Sequence, residues 1–166
     1  MKTPRLVLTD ANVLINLAQV NRLDLLSALP DLDFCVPQEV RAEVIRERGR
    51  VEEALRRGHL RELLLGETGE LALFVDLRQS MGMGEAACLA MAVHRGALIA
   101  SDEKRVFKRE AEARLGPGRL LNTPGLLLLA IRRGILTVDE ADGLKRDLEA
   151  GRFRMKFESF RELLSR

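Results

Sequence analysis

The sequence predicts one α/β domain, in which helices cover both faces of a parallel sheet of about four to five strands and a helical C-terminal tail follows. Short apolar runs alternate with segments of helical spacing, a pattern typical of parallel sheets. The first run, Leu6 to Leu8, ends at Thr9-Asp10 and passes directly into a helix from Ala11. The same order, a strand then a carboxylate then a helix, returns where Ala97 to Ala100 precedes Asp102.

The N-terminal half supplies two strands and several helices. Its second strand is Phe34 to Val36, and Pro37 suits the first position of the next helix because its missing N–H costs nothing there. The segment Leu60 to Leu65 fits either a strand or a helix. The remaining helices of this half are predicted over Asn21 to Leu29, Gln38 to Arg48, Glu52 to Arg57 and Glu70 to Ser80.

The C-terminal half begins with a glycine-rich turn, Met81 to Gly84, that opens a helix of small residues ending near Gly96. Ala97 to Ala100 and Arg119 to Asn122 are the third and fourth predicted strands, separated by a helix over Lys104 to Leu115. Thr123 is predicted to cap the helix containing Leu126 to Ile131, and Thr137 with Glu140 forms a capping box for a helix to Ala150. Arg152 to Lys156 alternates basic and apolar residues before a short amphipathic helix over Phe157 to Leu164.

Length and composition fit a single domain with a core over about 5–122 and a helical extension over about 123–166. The longest apolar runs are too short to cross a bilayer, and no signal peptide precedes the first strand, so a cytoplasmic protein is expected. Cys35 and Cys88 stand alone, which favours neither a zinc site nor a disulfide.

The net charge of +2 does not by itself indicate a nucleic-acid partner. Of the 27 basic residues 22 are Arg, a side chain suited to phosphate, although a GC-rich coding sequence explains the same bias. Trp and Tyr are absent, which argues against a binding surface built on aromatic stacking.

Carboxylates recur at the end of the sheet where ligands bind in α/β proteins. Asp10 and Asp102 follow strands, Glu85 opens a helix, and Glu39 or Glu43 lies on the helix after the second strand. Two unit charges about 4 Å apart repel by roughly 4 kcal/mol at an effective dielectric constant near 20, so such a group calls for a cation. Oxygen ligands without His or Cys favour Mg²⁺ or Mn²⁺.

Each acid also has a structural explanation. Asp10 can cap the following helix, and Glu85 and Glu103 lie in first helical turns, where acids complement the helix dipole. Glu39, Glu43 and Glu47 could form a solvated face that pairs with nearby arginines.

Four motifs resemble, in order, those of PIN-domain ribonucleases. They are Asp10-Ala11-Asn12 with its apolar helix, Pro37-Gln38-Glu39-Val40-Arg41-Ala42-Glu43, Gly84-Glu85 before an Ala-rich helix, and Ser101-Asp102 after a strand. The second motif selects Glu43 over Glu39. The tail from Leu121 to Leu164 is similar to a branch of bacterial and archaeal PIN proteins akin to VapC toxins.

The resemblance implies a PIN-like, Rossmann-type fold and a Mg²⁺- or Mn²⁺-dependent endoribonuclease that is dimeric and often silenced by an antitoxin protein. It implies Asp10, Glu43, Glu85 and Asp102 as catalytic metal ligands, with Ser101 holding a metal-bound water or having no role. Asn12 would orient Asp10 or a bound water. Candidate phosphate contacts on the RNA are Arg46, Arg48, Lys104 and Arg105.

Three other functions compete with this interpretation. A PIN module could scaffold RNA or a partner without catalysis. A haloacid-dehalogenase-type phosphatase also begins with a strand and an Asp, but its second Asp is replaced here by Asn12. A response-regulator receiver would need a Lys near a late strand, and none is found there.

Overall fold

A computed structural model describes residues 3–166. Within that range, five parallel strands form one sheet in the order β3-β2-β1-β4-β5. The strands are β1 (Arg5–Thr9), β2 (Leu32–Pro37), β3 (Arg61–Leu63), β4 (Leu98–Ala100) and β5 (Leu120–Leu121). This sheet, with its flanking helices, confirms the predicted α/β class with a parallel sheet of about four to five strands.

The helices connect successive strands and form the C-terminal extension. They are α1 (Ala11–Gln19), α2 (Leu25–Ala28), α3 (Gln38–Glu43), α4 (Arg48–Arg56), α5 (Thr68–Leu77), α6 (Met83–Arg95), α7 (Val106–Leu115), α8 (Thr123–Arg132), α9 (Val138–Ala150) and α10 (Arg161–Leu164). None of those in the described part of the chain is long and apolar enough to span a membrane.

Helix α6 packs on the centre of the sheet. It contacts β1, β2 and β4 as well as the helices α3, α5 and α7. Its run Ala86–Ala92 is buried, because alanines and a cysteine let the helix approach the strands closely. Gly96 ends it in the left-handed conformation at φ 66°. The first turn of α6 is thereby fixed close to the carboxyl ends of the strands.

The predicted helix over Gln38 to Arg48 is wrong in its second half. Helix α3 ends at Glu43, and Val44 has an extended backbone at φ −81° and ψ 109°. This break keeps Val44 buried, while Ile45, the next residue, is 75% exposed. Pro37 is the last residue of β2 and the N-cap of α3, one position earlier than predicted.

The helix predicted over Asn21 to Leu29 is also shorter in the structure, where α2 covers only Leu25–Ala28. Asn21 adopts φ 55°, and the N–H groups of Asn21 and Arg22 donate to the carbonyls of Ala18 and Leu17. These two bonds form a Schellman-type end to α1, so no helix can begin at Asn21.

Several other boundaries differ from the prediction, including the start of α4 at Arg48 instead of Glu52 and the start of α7 at Val106 instead of Lys104. The ambiguous segment Leu60 to Leu65 contains β3, which pairs in parallel with β2. The cap of α8 is Asn122, whose side chain accepts from Gly125 N at 2.8 Å, and not Thr123. Residues 157–160 lie outside any helix, so the C-terminal helix is limited to α10. The capping box of Thr137 and Glu140 on α9 is confirmed.

Candidate functional site

Asp10 occupies the junction between β1 and α1 at the carboxyl edge of the sheet. Its backbone N–H donates to Ala100 O at 2.9 Å, which ties this junction to the end of β4. Its Oδ1 accepts from Ala11 N at 2.8 Å, and its Oδ2 accepts from Ser101 Oγ at 3.1 Å. The side chain caps α1, as the structural explanation predicted, yet it remains a carboxylate at the sheet edge.

Burial raises the pKa of Asp10 from 3.8 to about 7. The hydrogen bonds from Ala11 and Ser101 oppose this rise, while the charges of Glu85 and Glu103 add to it. The side chain is 3% exposed. Asp10 therefore lies where a nearby cation would strongly favour its charged form.

Glu43 and Glu85 reach the same region from two helices. The Oε1 atom of Glu43, the last residue of α3, accepts from Gly84 N at 2.8 Å in the first turn of α6. A Cβ on Gly84 would lie 2.7 Å from Glu43 Oε2, so the absence of a side chain permits this contact. Burial raises the pKa of Glu85, and the charges of Glu103 and Glu43 contribute to that rise.

Asp102 is held by groups on two helices. Its Oδ1 accepts from Thr123 N at 2.7 Å, and its Oδ2 accepts from Asn16 Nδ2 at 3.0 Å and from the Thr123 hydroxyl. Because Thr123 is the first residue of α8, Asp102 satisfies one of the free N–H groups of that helix. The carboxylate thus joins β4 to α1 and α8.

Glu103, which the sequence analysis assigned only to a helix start, contributes to the field around Asp10. Its charge raises the pKa of both Asp10 and Glu85. Its N–H donates to Ser101 Oγ at 3.1 Å, and its Oε1 accepts from Asn12 Nδ2 at 3.0 Å. Glu103 therefore joins Asp10, Glu43 and Glu85 in a group of acids whose charges affect one another.

Polar residues of α1 position the segment after β4. Asn12 Oδ1 accepts from Asp102 N at 3.1 Å, so this side chain orients both acids of that segment. Asn16 and Thr123, which sequence reasoning missed, are buried and bind Asp102. The signal for Asn16 was a polar residue one helical turn after Asn12 within an otherwise apolar helix.

The acids of this edge lack basic partners. Among residues 3–166, no Lys or Arg forms an ion pair with Asp10, Glu43, Glu85, Asp102 or Glu103, although many other acids of the chain are paired. Such a grouping of unpaired carboxylates fits a cation with oxygen ligands, Mg²⁺ or Mn²⁺.

The side chains are not arranged as a closed metal cage. Within the described residues, no group of three or more His, Cys, Asp or Glu side chains is close enough to hold one ion. Mg²⁺ commonly takes one or two carboxylates and keeps several waters, so the donor set present suits it.

The predicted phosphate contacts divide into two groups. Arg46 and Arg48 are exposed around the start of α4. Lys104 and Arg105 line a cavity of about 760 Å³ that also includes Ser101, Asp102 and Glu103. The second group therefore lies next to the acids.

Two comparisons with known proteins complete this description. A family model described as a PIN domain matches residues 6–166, which is nearly the whole chain. A search of curated proteins gave no match. The family match agrees with the resemblance of the four sequence motifs. The chain therefore belongs to the PIN domain family, whose members are in general nucleases.

Proposed function

We propose that this chain is a Mg²⁺- or Mn²⁺-dependent endoribonuclease that hydrolyses phosphodiester bonds at the carboxyl edge of its sheet. The observation that carries the proposal is a set of acids around the buried Asp10 that have no basic partner among residues 3–166. Burial and neighbouring carboxylates raise the pKa of Asp10 to about 7. Charge repulsion of this kind is unfavourable unless a cation is bound.

The candidate ligands are the four acids predicted from the sequence, Asp10, Glu43, Glu85 and Asp102, together with Glu103. Because no three of them are close enough to hold one ion directly, one or two would bind it and the others would act through bound waters or by positioning. A bound divalent ion would lower the pKa of a water and neutralise the phosphate under attack. Ser101 orients Asp10, and Gly84 N orients Glu43. Asn12 holds the segment that carries Asp102 and Glu103 against α1.

Cleavage of a labelled single-stranded RNA with and without Mn²⁺ tests this function. Asp10→Asn should abolish Mn²⁺-dependent cleavage while the variant stays folded. Asp139→Asn, an exposed change of the same kind on α9, should leave cleavage intact. Cleavage retained by Asp10→Asn would remove Asp10 from the mechanism.

The main alternative is a non-catalytic PIN module that scaffolds RNA or a protein partner. Isothermal titration distinguishes it, because the nuclease must bind Mn²⁺ and lose that binding when Asp10 is neutralised. A chain that binds RNA but neither binds Mn²⁺ nor cleaves would favour the scaffold.

The resemblance to VapC toxins leads us to propose a homodimer that an antitoxin protein inhibits. Leu71 and Val75 lie four residues apart on α5 and are 45% and 63% exposed, which gives that helix an apolar surface suited to an interface. Light scattering measures the oligomeric state, and replacing Val75 with Asp should shift a dimer towards monomer.

A further inference from the structure

The cavity beside the acidic edge is predominantly basic. Its volume is about 760 Å³, and its walls come from the segment after β4, from α7, from the start of α8 and from residues 153–157 of the C-terminal extension. Three acids also line it, namely Asp102, Glu103 and Glu112. The basic side chains in its lining are Lys104, Arg105, Lys108, Arg119, Arg154 and Lys156.

Most of these cations are available to a ligand. Arg119 donates to Ala97 O at 3.0 Å and serves the fold. The other five are exposed, and none forms an ion pair with an acid of the described chain. The cavity therefore combines free positive charge with direct access to Asp102 and Glu103.

The C-terminal wall of the cavity is fixed in place. Asp142 on α9 accepts from Ser159 Oγ at 2.6 Å and from Phe160 N at 2.9 Å. Phe160 is fully buried, and Met155 is buried as well. Met155 is buried while its neighbours Arg154 and Lys156 are exposed, and all three line the cavity. The basic and apolar alternation of this segment thus has a structural meaning.

We infer that this cavity binds the phosphodiester backbone of a single RNA strand, and that Arg154 and Lys156 of the C-terminal extension contact its phosphates. The inference rests on the proposed nuclease function and adds a substrate-binding wall to it. The volume lies within the roughly 300–1,000 Å³ typical of small-ligand pockets, which suits a short stretch of single strand.

Continuity with the acids favours RNA over an acidic protein. A strand whose scissile phosphodiester lies at the acidic edge would place its neighbouring phosphates against Lys104, Lys108, Arg154 and Lys156. The carboxylates of an acidic peptide would meet Asp102 and Glu103 in the same cavity without taking part in any reaction there.

Fluorescence anisotropy of a labelled single-stranded RNA, with EDTA present to prevent cleavage, tests the inference. The test variant is Arg154→Ala/Lys156→Ala. The control is Arg132→Ala/Arg146→Ala, which removes two exposed arginines that do not line the cavity. Each phosphate contact on a single strand contributes about 0.7 to the slope of log K against log salt. Losing two contacts should reduce the magnitude of this slope by about 1.4 and weaken RNA binding about 25-fold at 0.1 M salt.

The outcomes separate this inference from the nuclease proposal. Weaker binding and a smaller slope in the test variant alone support the binding wall, even if no cleavage is found and the nuclease proposal fails. If the test variant keeps the wild-type affinity and salt slope, Arg154 and Lys156 do not contact RNA phosphates and the inference is rejected, whether or not the chain cleaves RNA. An equal loss in the control variant, or binding of a polyglutamate peptide in preference to RNA, also overturns it. Circular dichroism checks that both variants are folded.

Discussion

Replacing Asp10 with Asn should remove a pH dependence of folding stability that this carboxyl group creates. Burial raises the pKa of Asp10 from 3.8 to about 7. The folded state therefore holds the proton more tightly than the unfolded chain, and ionisation of Asp10 destabilises the fold as the pH rises from about 4 to about 7. A difference of about three pKa units corresponds to about 4 kcal/mol of unfolding free energy.

Asparagine preserves the local geometry without the charge. Its Oδ1 can still accept from Ala11 N, which lies 2.8 Å from the present Oδ1, and its amide can donate to Ser101 Oγ. The variant should match the wild type near pH 4.5 within about 1 kcal/mol, since both side chains are then largely uncharged. Above pH 8 the variant should be more stable by up to about 4 kcal/mol, or roughly 8–16 °C in melting temperature.

Thermal melting in EDTA at several pH values from 4.5 to 8.5 measures this difference, with Asp139→Asn as an exposed control. A stability gap that stays constant across this range would refute the argument, because only the ionisation of Asp10 makes the gap grow with pH. Adding Mn²⁺ above pH 7 should raise the melting temperature of the wild type and not that of the variant, since a ligand stabilises only the state that binds it.

Two other predictions test the acids and their supports. Asp102→Asn should cost about 1.5–3 kcal/mol in urea denaturation, because Asp102 accepts three hydrogen bonds as an anion. Glu103→Gln, an exposed change, should leave stability within about 0.5 kcal/mol but weaken Mn²⁺ binding in a calorimetric titration; the opposite pattern would reverse these two roles. Gly84→Ala should displace Glu43 and weaken Mn²⁺ binding by roughly 10- to 100-fold, as expected when a ligand loses its orienting group. Gly49→Ala on α4, whose added Cβ would meet no atom within 4 Å, is the control, and equal effects of the two changes would contradict this explanation.

The arrangement of the sheet edge could be predicted because it depends on local signals. A buried apolar run followed at once by helical spacing marks the carboxyl end of a parallel strand, and this placed Asp10 and the Ser101-Asp102 segment at one edge. Thr9 and Ala100 are direct partners in the observed register. The break after Glu43 was not predictable in this way, because Val44 and Ile45 continue the apolar pattern of α3 and only the core distinguishes them.

The direction of each side chain after β4 depends on contacts between residues far apart in the chain. Asp102 and Glu103 are adjacent acids, and the sequence analysis preferred Asp102 because it matches the family motif. The structure places Asp102 against Thr123, which is free to bind it because Asn122 caps α8. That detail was hidden from the sequence, where Thr123 was expected to be the cap.

The cap of α8 therefore decides which acid faces Asp10. The Asp102 carboxylate accepts three hydrogen bonds, two from Thr123, the first residue of α8, and one from Asn16. Among the described residues, the Glu103 side chain accepts only from Asn12 Nδ2, and its charge raises the pKa of both Asp10 and Glu85. A cation at this edge would relieve the repulsion among Asp10, Glu85 and Glu103, while a cation next to Asp102 would compete with hydrogen bonds already made. Among the candidate ligands, Asp102 is therefore assigned to positioning and Glu103 to direct contact with the ion; the unfolding free energy of Asp102→Asn and the Mn²⁺ titration of Glu103→Gln test this assignment.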